Sequence, residues 1–121
     1  MCSQYEALVA ALKALTQGEA PNTETLPMAE NEWKNARPDS ESYGLVSLDF
    51  EASAENGDNR KLDTAYEGSV DLFSHAKDGA GWVPLITWTL EAYCDGCWSL
   101  NSHVYERGTG LFHWEWTFEV I

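Results

Sequence analysis

The residues best equipped for chemistry sit close together late in the chain. Cys94-Asp95-Gly96-Cys97 is a C-x-x-C pair, and His103 and His113 follow it. Thiolates and imidazoles in such proximity are the makings of a tetrahedral zinc site or a dithiol redox centre. Structural zinc needs four convergent ligands, however, and there is no second C-x-x-C. The histidines fall on a strand face and the cysteines in a helix-to-strand turn, so Cys94 and Cys97 read as small residues lining a tight turn. Asp49, Glu51, Glu67 and Asp71 offer carboxylates for acid–base work, but they alternate with apolar residues along strands and read as a solvated face. The chain contains no G-x-S-x-G, H-E-x-x-H, P-loop or G-x-G-x-x-G pattern. The expectation is a protein without catalytic, cofactor-binding or metal-binding residues, and so not an enzyme.

The elements that position these residues follow from periodicity. Ser3-Gln4-Tyr5-Glu6 has the form of a capping box, after which Tyr5, Leu8, Val9, Leu12 and Leu15 recur at helical spacing up to Gly18. Residues 19–26, rich in Pro, Asn and Thr, read as a connector, and 28–33 as a short strand before the turn Arg37-Pro38-Asp39-Ser40. Val46, Leu48 and Phe50 alternate with polar residues over 43–51, as do Tyr66, Val70 and Leu72 over 66–74. The polar stretch 52–65, with the turn signal Asn56-Gly57 and the charges Glu55, Asp58, Arg60, Lys61 and Asp63, joins them as a long hairpin loop. Pro84 suits the first turn of a second helix, which presents Val83, Ile86, Leu90 and Tyr93 and ends near Asp95-Gly96.

Two strands close the chain. Trp98, Leu100 and Val104 share strand parity, and LFHWEWTFEVI places Phe112, Trp114, Trp116, Phe118 and Val120 on one face with His113, Glu115, Thr117 and Glu119 on the other. Pairing apolar even residues with each other demands an odd loop of about three or five residues, and the longer one sets His103 opposite His113. The aromatic residues of the last strand line a core under the helices. Trp33, Trp82, Trp88 and Trp98 are not assigned to the core by this pattern, and some surplus aromatic surface among them would suit a protein interface. The expected architecture is a single α+β domain over 1–121, in the order α-β-β-β-α-β-β, with a mixed or mostly antiparallel sheet and the helices on one face.

Composition narrows the partners. With 121 residues, 44% hydrophobic, the chain can bury one core. Twenty acidic residues against seven basic ones give a formal charge of −13, which repels phosphate and argues against a nucleic-acid grip. No run reaches the roughly 18 apolar residues of a membrane span. Glu6 stands where a secretory signal carries a cationic start, and three cysteines, Cys2 included, make no disulfide framework. A cytoplasmic protein is expected.

The element order, together with YEGSVDLFS, the LITWTLEAY helix and the pair WSLNSHVYE and GLFHWEWTFEVI, resembles the tail-terminator (tail-completion, minor tail) proteins of long-tailed bacteriophages and prophages. The likeness is one of architecture over nearly the whole chain and brings no matched catalytic residue, and it does not account for the Cys94–Cys97 turn. It implies a hexameric ring that caps the head-proximal end of the tail tube, stops tail growth and contacts head-completion proteins. It implies residence in the tail or neck of the virion after assembly in the host cytoplasm, with genomic DNA passing through an acidic lumen without specific binding. The alternative is a small acidic binding or inhibitor module, such as a nucleic-acid mimic. A zinc-dependent or redox enzyme is a third reading.

Overall fold

The first helix forms where apolar spacing predicts it. α1 spans Gln4–Lys13 and buries Tyr5, Leu8, Val9 and Leu12, a stripe at spacings of three and four. The computed structural model describes residues 4–33, 40–53 and 64–120, so Ser3 of the capping box, most of the turn at 37–40, Cys2 and the Asn56-Gly57 turn lie outside the described residues. α1 stops short of Leu15 and Gly18 because the chain enters a small ladder there. β1 (Thr16–Gln17) pairs antiparallel with β2 (Glu24–Thr25), and the Leu26 N–H donates to the Leu15 carbonyl. The expected connector 19–26 therefore contains a strand, and it delivers Leu26 into the core.

β3 (Met28–Glu30) runs parallel to β4 (Ser42–Ser53). It ends before Trp33 because Asn31 turns left-handed at φ 68°, a conformation Asn tolerates, and its side-chain Oδ1 accepts the Leu48 N–H. α1 is tied to this edge by the Tyr5 hydroxyl, which donates to Glu30 Oε2 at 3.1 Å, and by Lys13 Nζ, 4.0 Å from Glu30 Oε1.

β4 and β5 (Thr64–Ser74) form the expected antiparallel hairpin, but the ladder runs out to Ala52↔Ala65 and Ser53↔Thr64, so both ends of the expected 52–65 loop are strand. The pairing slips by one residue between Leu48 and Phe50, a bulge that interrupts simple alternation. Beside it Gly68 is required by contact: a Cβ there would lie 2.2 Å from the Ser47 carbonyl oxygen and 2.7 Å from the Phe118 ring.

A tight turn, Gly79–Gly81, precedes α2 (Trp82–Cys94). All three of its residues have positive φ, and the turn is held by Asp78 Oδ1 accepting the Ala80 N–H and by Gln17 Nε2 donating to the Ala80 carbonyl. Pro84 sits in the first turn of α2, where its missing N–H has no helical partner to lose. α2 buries Trp82, Ile86, Leu90 and Cys94, with Val83 and Tyr93 partly buried at the margins, so its stripe is rotated from the expected Val83-Ile86-Leu90-Tyr93. Asp95, left-handed at φ 46°, ends the helix by donating its N–H to the Glu91 carbonyl.

β6 (Trp98–Glu106) and β7 (Leu111–Val120) complete a five-stranded sheet of order β3-β4-β5-β7-β6, antiparallel apart from the β3–β4 pair. β7 is an interior strand, with Trp116 opposite Val70 on one side and Leu100 on the other. Its even residues Trp114, Trp116, Phe118 and Val120 are buried with α1 and α2. Tyr5 stacks near Tyr66 and Phe118, and the Trp116 indole N–H donates to Thr87 Oγ1. The chain is a single α+β unit in the expected order, with both helices on one face of the sheet.

Candidate functional site

The C-x-x-C divides between interior and solvent. Cys94 closes the buried stripe of α2, whereas Cys97, whose N–H donates to the Cys94 carbonyl, is exposed. Burial, then Cys97 and Glu91, push the Cys94 thiol up to about 12. A residue of the core, Cys94 is more than a turn spacer, and the reading of the pair as turn-lining residues holds for Cys97 alone.

The histidines are not opposite each other. Residues 107–110 form a four-residue turn, with Glu106 opposite Leu111, and a slip between Leu100 and Ser102 restores even-to-even pairing further out at Leu100↔Trp116 and Trp98↔Phe118. Near the turn, His103 pairs with Trp114 and Val104 with His113, which puts the two imidazoles on opposite faces. His103 stacks on Trp114 at 4.4 Å on the helix side. Among the described residues no group of three or more His, Cys, Asp and Glu side chains is arranged to hold a metal ion.

His113 lies on the outer face with partners the sequence did not assign to it. Its Nε2 is 2.6 Å from Asp71 Oδ1, its Nδ1 is 3.2 Å from Glu106 Oε2, and its ring stacks on Phe73 at 4.2 Å. Asp71 is only 14% exposed and His113 19%, so Asp71 is a member of a half-buried cluster and not part of a solvated face. The cluster braces β5, β7 and the end of β6. Odd parity on both strands was legible in the sequence; that β7 lies beside β5 was not.

Asp49 and Glu67 do come together. With Glu119 they rim an open basin of about 420 Å³ whose lining includes Cys97, Trp98, Thr117 and Phe118. The Trp98 indole nitrogen is buried without a hydrogen-bond partner. The side chain of Glu51 lies outside what the structure describes, and its backbone pairs with Tyr66. The basin is shallow and acidic, with no nucleophile held by a base.

The most distinctive surface is β6 itself. Leu100 (45% exposed), Val104 (48%) and Tyr105 (53%) stand out on this last strand of the sheet, where the sequence had suggested a single inward parity for Leu100 and Val104. Trp88, 67% exposed, projects separately from α2. No family model matches the sequence, and no curated protein matches it either.

Proposed function

We propose that this protein is a structural subunit of the phage tail-terminator kind, which caps the head-proximal end of a tail tube as a hexameric ring, ends its growth and offers a face to head-completion proteins. The observation that carries the reading is the architecture: one α+β unit in the order α-β-β-β-α-β-β with both helices on one sheet face, as that resemblance implies. It is consistent with a function exerted through surfaces. The charge of −13 suits a ring through which DNA slides without adhering. Deleting the gene from the phage or prophage that encodes it, followed by electron microscopy of the particles, tests the proposal: tails of uncontrolled length without heads support it, and normal virions overturn it.

One observation favours the second reading, a small acidic inhibitor. β5 and β7 carry Glu67, Glu115 and Glu119, beside the His113-bound Asp71, on the face away from the helices. An inhibitor of this kind remains small in solution and binds a basic, DNA-binding protein in a salt-sensitive manner, whereas a cap forms rings with the tube.

A further inference from the structure

We infer that β6 pairs edge to edge with β6 of a second copy of this chain. The inference stands on the edge itself and concerns the free protein, apart from any tail. Among the described residues β6 is the terminal strand of the sheet, so one row of its backbone N–H and C=O groups has no strand partner. Soluble proteins blunt such edges with short strands, lysine or proline. β3, at the opposite edge, has three residues, whereas β6 has nine, WSLNSHVYE, and contains neither lysine nor proline. Its one irregularity, the slip between Leu100 and Ser102, leaves 102–106 regular.

Charge selects the occupant. The chain has 20 acidic and seven basic residues, yet 98–105 contains no Asp, Glu, Lys or Arg. A cationic partner is drawn to the acidic outer face of β5 and β7 instead. Another copy, itself at −13, meets least repulsion along this neutral strip. An antiparallel two-fold centred on Val104 sets Val104 against itself, His103 against Tyr105 and Ser102 against Glu106. That register keeps each opposed pair on one face, buries exposed Val104 and Tyr105, and opposes no acid to another. Such a pair closes at two copies, while a hexameric ring needs a head-to-tail contact, so mass distinguishes the two.

Sedimentation of the full chain over a micromolar to millimolar range, at low and high salt, tests this. Wild type should form dimers that tighten as salt screens the two acidic bodies. Leu100→Lys with Val104→Lys should weaken dimerisation about 10-fold or more, by placing unpaired cations on the edge, and Trp88→Lys on α2 should leave it unchanged. Amide hydrogen exchange of unmodified protein guards against misfolding of the variant: protection over 102–106 should rise with protein concentration. A monomer at every concentration and salt, a lysine variant that dimerises as tightly as wild type, loss of association in the Trp88 variant, or concentration-independent protection would each overturn the inference. None of these readouts involves tails, so its failure leaves the tail-cap proposal standing.

Discussion

Replacing Trp116 with alanine removes the side chain around which the sheet and α2 meet. Trp116 is fully buried, opposite Val70 and Leu100 on its neighbouring strands, and its indole N–H donates to Thr87 Oγ1 at 3.2 Å. A buried Trp→Ala change costs about 3–5 kcal/mol through lost transfer energy and an unfilled cavity. The hydrogen bond is the smaller part, about 0.5–1.5 kcal/mol, because Thr87 Oγ1 still donates to the Val83 carbonyl and is not stranded. Against a total of about 5–15 kcal/mol this is a large loss, equivalent to a fall of about 10–20 °C in Tm for a domain of this size. Urea denaturation followed by circular dichroism, with the slope m checked for constancy, measures it. Trp116→Phe should cost about 1–2 kcal/mol and Thr87→Val about 1 kcal/mol. An alanine variant that loses less than about 1 kcal/mol refutes the reasoning. A phenylalanine variant as unstable as the alanine one would move the energy from packing to the hydrogen bond.

Gly68→Ala should destabilise by about 1–3 kcal/mol, since its Cβ would fall 2.2 Å from the Ser47 carbonyl oxygen, whereas Gly108→Ala, where a Cβ meets nothing within 4 Å, should be nearly neutral; equal melting curves would refute the close-approach argument. Cys94→Ser should cost about 1–3 kcal/mol by burying a hydroxyl in an apolar cluster, and Cys97→Ser should stay within about 0.5 kcal/mol. In a Cys2→Ser background a thiol reagent should label Cys97 in the native protein and Cys94 only on unfolding. Because the folded Cys94 thiol is raised from 9.0 to about 12, its contribution is complete below pH 9 and disappears as pH rises toward 12. Stoichiometric zinc, with collapse of both serine variants, would reverse this account.

The candidate chemistry was only partly legible because strand parity assigns a face and not a neighbour. His113 and Asp71 each read as outward residues, but their 2.6 Å contact exists because β7 inserts between β5 and β6, a choice among sheet orders that local pattern does not encode. Cys94 read as part of a turn because Gly96 follows so closely; α2 in fact keeps its buried stripe through Cys94 and turns only at Asp95. The His103–His113 pairing failed on one extra residue in β6, since a single-residue slip moves every later side chain to the other face.

By itself the sequence determined the inventory. The stripe from Tyr5 to Leu12 makes a helix, Pro84 and Asp95 bracket another, and the alternation from Phe112 to Val120 makes a strand buried on one side, because helix and strand periods are local properties of the chain. Tertiary structure alone decided that β3 joins in parallel and that Gly68 and Phe118 meet. It also decided that slips near Asp49 and Asn101 re-aim two strands and that β6 is left at the edge with Val104 and Tyr105 in solvent. These features depend on which strands compete for the same backbone hydrogen bonds and on how side chains from distant segments fill one volume, and neither quantity exists until the chain has folded.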